Sequence, residues 1–235
     1  RWGGWRRADR PSPAATAAPA GRARALLVMR DNQEHRDDIE RYYRAAIHGA
    51  RHEVIIANAY FLPGLRLLRE MRAAARRGVR LRLILQGQPD KMIMRWAAIS
   101  LYDYLLRSGV QIHEYCERPL HGKVAVVDGD WATVGSSNLD PLSLSLNLEA
   151  NLLIRDSAFT QQLRARLRQL IDQCCRQIPP PATPKPAWWS QLTAYLVFIL
   201  LRRFPRWVGA LPPHQPEVSP APGAGVDQER PRKIA

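Results

Sequence analysis

Cysteine is scarce in this chain of 235 residues: Cys116, Cys174 and Cys175 are all there are, with no C-x-x-C pair and no histidine at zinc-ligand spacing. Neither a disulfide framework nor a structural zinc site is indicated, and a reducing compartment fits best. Long apolar runs are missing too. The uncharged stretch Pro186–Leu201 is sixteen residues and includes Ser190, Gln191 and Thr193, whereas a spanning helix needs roughly twenty apolar residues. Acidic side chains are the minority, 21 against 35 Lys and Arg, for a net charge of +14. The excess sits on the flanks, with six basic and one acidic residue in 1–24 and eight basic and three acidic in 176–235. That distribution favours adhesion to an anionic surface over a basic nucleic-acid groove. A leader is not recognisable either: the chain opens on Arg1, with no charged start followed by an apolar core and cleavage site. The expectation is therefore a piece of a longer protein.

What is present suffices for one ordinary globular domain with extensions, since 46% of residues are hydrophobic. Residues 1–24, rich in Pro, Ala and Arg, read as a linker from something upstream. Asp31 or Asn32 offers a cap for a helix in which Ile39, Tyr42, Tyr43, Ala46 and Ile47 recur at helical spacing. HEVIIANAY then reads as a buried strand, Leu65 to Arg77 as a helix stopped by Gly78, and VRLRLILQ as a strand. A third helix over about 91–108 and the strand VQIHEYC complete a strand–helix alternation. It predicts an α/β layered domain over 25–178, a mixed, mostly parallel sheet flanked by helices. LNLEANLLIRD follows as a strand and AFTQQLRARLRQLIDQCC as an amphipathic helix. Pro-rich 179–186 is a stiff spacer, and 212–235 reads as disordered. Between them, 187–211 carries Trp188, Trp189, Phe204 and Trp207 among Arg202, Arg203 and Arg206, a C-terminal amphipathic helical extension suited to a membrane interface or to packing on a missing domain.

The chemistry is concentrated in HGKVAVVDGDWATVGSSNLD, which reads as two short strands joined by a turn at Asp128 to Asp130. Period-two geometry places His121 and Lys123 on one face of the first strand. A phosphodiester oxygen suits the lysine as a point charge, and the adjacent imidazole can attack phosphorus or move a proton. Gly135 permits close backbone approach, and Ser136 and Asn138 add short hydrogen-bonding groups. Asn58, closing the EVIIAN strand, either reaches the mouth of the site or begins a turn.

The spacing H-x-K-x4-D-x6-G-S-x-N resembles the HKD signature of the phospholipase D superfamily. The longer segments EVIIANAYFLPG, RRGVRLRLILQG and RPLHGKVAVVDGDWATVGSSNLDPLSLSLNLEANLLIRD resemble the C-terminal half of the bacterial cardiolipin synthases of the B class, over roughly Ala25 to Leu211. The resemblance implies that His121, Lys123 and Asp128 are the catalytic motif and that Lys123, Ser136 and Asn138 hold phosphoryl oxygens. Glu149, eleven positions past Asn138, falls where the family keeps a carboxylate that orients the histidine. Asp128 either supports that network or caps the turn. No metal and no cofactor are implied. The implied reaction joins two phosphatidylglycerols through a phosphohistidine and releases glycerol, at the inner face of a bacterial cell membrane to which the protein is peripheral. An anionic phospholipid is then the partner, and nucleic acid is disfavoured.

One imidazole cannot reach both sides of a phosphorus, and the family uses two motifs. His35, His48, His52, His113 and His214 each lack a lysine two residues on. The second motif is expected from an N-terminal half or from a homodimer partner, in which case a single-motif phosphodiesterase, nuclease or phospholipase D is the alternative. By its place in the chain, His121 is expected to be the acid/base member of the pair.

Overall fold

The computed structural model describes residues 23–87, 99, 101–140, 143–144 and 147–180. The 187–211 and 212–235 segments, most of the 1–24 linker and the spacer beyond Pro180 lie outside the described residues, as do 91–98 of the expected third helix. Residues 101–106 of that helix are helical, and Gly109, at φ +87°, closes the turn that follows.

Eight strands form one sheet. In chain order they are β1 (Arg24–Arg30), β2 (Glu53–Asn58), β3 (Arg80–Gln86), β4 (Gln111–Tyr115), β5 (Lys123–Val127), β6 (Trp131–Gly135), β7 (Glu149–Arg155) and β8 (Cys175–Gln177), with helices α1 (Asp38–Gly49), α2 (Leu65–Arg76) and α3 (Ser157–Cys174). Across the sheet the order is β1-β7-β6-β5-β2-β3-β4-β8. The α/β layered architecture and the mixed sheet agree with the sequence reading. The balance of directions does not: only β2-β3 and β3-β4 are parallel, and the other pairs are antiparallel. The cause is connection length. A parallel pair needs a crossover element, which α2 provides between β2 and β3, while the three-residue turn from β5 to β6 can only reverse the chain.

Helices cover both faces. Val54 and Ile56 of β2 point into the layer under α1 and α2 with Ile39, Tyr43, Leu68 and Met71. Ile55 and Ala57 point the other way, toward Leu167 and Ile171 of α3. All six residues of β2 are therefore buried, as expected of a central strand. Two local expectations shift. The first helix starts at Asp38, and the Asp31 carboxylate instead accepts the Gln33 and His35 N–H groups in a turn before it. Strand β1, absent from the sequence reading, pairs antiparallel with β7 at the sheet edge. The α3 face stays open there: Leu27 is 61% and Met29 54% exposed, and Val134 and Leu152 across the ladder are exposed with them.

Candidate active site

Five strand ends meet at one end of the sheet: the C-terminal ends of β1, β2 and β6 and the N-terminal ends of β5 and β7. The run into β5 is tied to its neighbours, with the Leu120 N–H donating to Gln86 Oε1 at 2.5 Å and the Ala59 N–H to the Gly122 carbonyl at 3.1 Å. His121 and Lys123 consequently share a side, as their spacing predicts. The Lys123 ammonium donates to His121 Nε2 at 3.1 Å, which places the neutral ring's proton on Nδ1. His121 is exposed, whereas Lys123 is 8% exposed. Burial lowers the lysine's pKa, and the carboxylates of Glu149 and Asp140 oppose that shift. A cation held this way, with its head beside an open imidazole, suits one phosphoryl oxygen of a diester.

The β6 end explains its glycine. A Cβ on Gly135 would lie 2.2 Å from Asn151 Oδ1 and 2.6 Å from the Ala150 carbonyl oxygen. Asn151, across the β6-β7 ladder, is buried and accepts the Ser137 N–H at 3.3 Å while its amide donates to Thr133 Oγ1 at 3.4 Å. The glycine thus makes room for a side chain that shapes the 136–138 loop. The Ser136 N–H donates to the Ala150 carbonyl at 3.0 Å, and the Ser136 hydroxyl accepts the Ala150 N–H at 3.0 Å and donates to Glu149 Oε2. Asn147 Nδ2 donates to the other oxygen of Glu149 at 3.3 Å. Among the described residues these are the hydrogen bonds of Glu149. The carboxylate holds Ser136 and raises the Lys123 pKa through its charge. Asn138 is half-buried, and its Oδ1 has no partner among the described residues.

Asp128 is not brought to this site. It ends β5 at the other end of the strand, about 17 Å from Lys123 at the ordinary rise per residue. Its φ is +51°, and its carboxylate accepts the N–H groups of Arg51, His52 and Glu53 at 3.0, 2.8 and 2.9 Å. Burial pushes its pKa up, but the backbone donors of residues 51–53 outweigh it and hold the group below the usual carboxylate range. Of the two roles open from sequence, this geometry matches the turn: Asp128 staples the β5-β6 hairpin to the α1-β2 connection.

Three residues at the site end carried no assignment or an open one. Asp140, 3% exposed, accepts the Ser143 N–H at 3.0 Å and acts on Lys123 through its charge. Arg30, 3% exposed, donates to the Asn147 carbonyl at 2.5 Å and lies opposite Glu149 in the β1-β7 ladder. Asn58 is fully buried opposite Lys123 in the β2-β5 ladder, and its Oδ1 accepts the Leu139 N–H at 3.1 Å. Asp140 stands inside the motif run and Arg30 is a charge in a strand-like stretch, but only pairing across the sheet connects them to the site. A pocket of about 400 Å³, lined by Arg24, Leu26, Tyr42, Trp131, Leu153 and Arg155 among others, opens at the opposite end of the strands. Among the described residues, no three His, Cys, Asp or Glu side chains are grouped to hold a metal ion, and no helix is long and apolar enough to cross a membrane.

Comparison with known proteins agrees with this geometry. The chain is 57% identical over 202 residues to cardiolipin synthase B of Salmonella typhi, covering 86% of this chain and 49% of that protein. It is 55% identical over 219 residues to cardiolipin synthase B of Escherichia coli K12, covering 93% and 52%. It thus spans about half the length of the curated relatives it matches. In fold it is similar to Nuc, a phospholipase D family member from Salmonella typhimurium, at a TM-score of 0.57 and 18% identity, covering 67% of this chain and 99% of that one. It is also similar to phosphatidylserine synthase of Haemophilus influenzae Rd KW20, at a TM-score of 0.54 and 16% identity, covering 80% and 46%. Residues 43–171, which hold β2 through β7 and the His121–Lys123 pair, match the family described as cardiolipin synthase, PLD-like domain, and the chain belongs to that family.

Proposed function

We propose that this chain is the C-terminal half of a phosphatidyltransferase of the cardiolipin synthase type, which joins two phosphatidylglycerols and releases glycerol. The observation that carries the reading is the Lys123 ammonium 3.1 Å from His121 Nε2 at an open sheet end, in a chain 55–57% identical to cardiolipin synthase B.

Phosphodiester cleavage needs charge neutralised on the phosphoryl oxygens, a nucleophile, and a proton for the leaving alkoxide on the opposite side. Lys123 and Asn138 supply the first, with Ser136 and Glu149 fixing the loop they work from. The nucleophile is a second imidazole, contributed by an N-terminal half carrying its own H-x-K. Its nitrogen attacks phosphorus, the P–O bond to glycerol breaks, and protonated His121 gives its proton to the departing oxygen. His121, now neutral, takes the proton from a hydroxyl of a second phosphatidylglycerol as that oxygen attacks, and the P–N bond breaks. The open apolar strip at Leu27, Met29, Val134 and Leu152 supports such an assembly, because a surface of this kind is ordinarily covered. Peripheral attachment to an anionic membrane, through the basic flanks and the 187–211 segment, brings the site to its lipid.

The test uses the complete protein, both halves included, with phosphatidylglycerol vesicles and lipid mass spectrometry. Cardiolipin and glycerol are expected in equal amounts, and both vanish on His121→Ala. Phosphatidic acid without cardiolipin would refute the transferase. Cleavage of DNA by a homodimer of this chain, with no action on lipid, would replace it with the nuclease.

A further inference from the structure

We infer that Asn58 is a positioning residue of the phosphoryl site, acting through Asn138 to fix which end of the Asn138 amide faces the substrate. The inference rests on the reading that Asn138 holds a phosphoryl oxygen. It holds equally for transfer and for hydrolysis.

Asn58 and Lys123 are direct partners in the antiparallel β2-β5 ladder, so their side chains leave the same face with Cβ atoms about 5 Å apart. Asn58 is fully buried there. Its orientation is fixed by chemistry: the Leu139 N–H, 3.1 Å away, requires an acceptor, so the oxygen of the amide faces Leu139 and the nitrogen faces away. That nitrogen has no partner among the described residues, and neither does Asn138 Oδ1. The second atom belongs to the residue immediately before Leu139.

Donor and acceptor are thus both unsatisfied, on residues one hydrogen bond and one peptide apart. A buried polar group without a partner is costly, and a small shift into direct contact, or one bridging water, would satisfy this donor and this acceptor together. Once Asn58 Nδ2 engages Asn138 Oδ1, the Asn138 Nδ2 group is turned outward, the polarity a phosphoryl oxygen demands. The backbone supports the arrangement, since the Leu62 N–H donates to the Leu139 carbonyl at 2.7 Å and holds the two segments together. Asn58 does not touch substrate. It sets the polarity of the side chain that does.

Asn58→Asp tests this with little change in shape. It keeps an oxygen for the Leu139 N–H and replaces the donor by an acceptor. Asn58→Ser is a second variant that leaves no added charge beside Lys123. Both are made in the complete protein, alone and with Asn138→Ala, and total phosphodiester cleavage is read as glycerol released from phosphatidylglycerol, with cardiolipin counted separately. Each single variant is expected to lower kcat by about tenfold, the scale of one mis-set hydrogen bond, and to cost little or nothing further once Asn138 is alanine. Thermal unfolding is measured on every variant, so that loss of fold is separated from loss of rate. Rates unchanged by both variants in folded protein, or losses that add fully to that of Asn138→Ala, would overturn the inference. Cleavage with no cardiolipin would refute the proposed transfer while leaving this coupling measurable.

Discussion

Replacing Asp128 tests whether this residue of the motif acts on stability rather than on rate. In Asp128→Ala the N–H groups of Arg51, His52 and Glu53 lose their acceptor, and an alanine is left at φ +51°. Three net hydrogen bonds at about 0.5–1.5 kcal/mol each, with partial compensation by water at the exposed donors, give a loss of about 3 kcal/mol. For a domain of this size that corresponds to a fall in Tm of roughly 6–12 °C. Asp128→Asn tolerates the positive φ and keeps one acceptor oxygen, so about half that loss is expected. The pH dependence carries a definite sign. The folded carboxyl lies below its ordinary 3.8, so its contribution is complete above the unfolded value and disappears as pH falls through the folded one. The gap in stability between the wild type and Asp128→Asn therefore narrows below about pH 3.8. Denaturant melts at several pH values measure it, alongside kcat well below Tm. Folded Asp128→Ala should retain kcat within about twofold, since the carboxylate is a strand's length from Lys123. A collapse of kcat with stability intact would refute the assignment.

Gly135→Ala forces a Cβ against Asn151 and the Ala150 carbonyl, and should cost about 2–5 kcal/mol in denaturant melts and lower activity as the 136–138 loop shifts. Gly129→Ala, with nothing within 4 Å, is its control and should be neutral. Glu149→Gln removes a charge that raises the Lys123 pKa, so the alkaline limb of the cleavage profile should move to lower pH; an unmoved or raised limb would exclude the coupling. Glu53→Ala leaves Arg82, 3.0 Å from that carboxylate and mostly buried, without its partner, and also removes the 2.7 Å bond from Arg168. A loss of about 3–5 kcal/mol by chemical denaturation is expected, with kcat of the folded protein unchanged because Glu53 begins β2 at the end away from the site.

What was legible in the sequence was local. His121 and Lys123 share a face because they stand two apart on an extended chain, and Gly135 signals a close approach whatever approaches it. The partners were not legible, because they come from elsewhere in the chain. Asp128 meets backbone donors 75–77 residues away, and no spacing inside the motif distinguishes a carboxylate that caps a turn from one that assists an imidazole. Strand β1 was missed for the same reason. RALLVMR has no clean alternation, and it becomes a strand by pairing with β7 more than a hundred residues later.

Sheet direction shows where the sequence reading went furthest astray and why. The strand–helix alternation through β4 does force parallel neighbours, and β2, β3 and β4 obey it. The motif begins where that alternation stops, and its tight turn makes β5 and β6 a hairpin inserted beside β2. This antiparallel insertion brings the start of β5 against the end of β2, so that Lys123 and Asn58 become cross-strand neighbours. In a uniformly parallel sheet the start of β5 would lie beside the start of β2, and Lys123 would face the Glu53 end. The reversal of direction is therefore part of how this end of the sheet is built: it sets Lys123 against the buried Asn58 amide that accepts the Leu139 N–H.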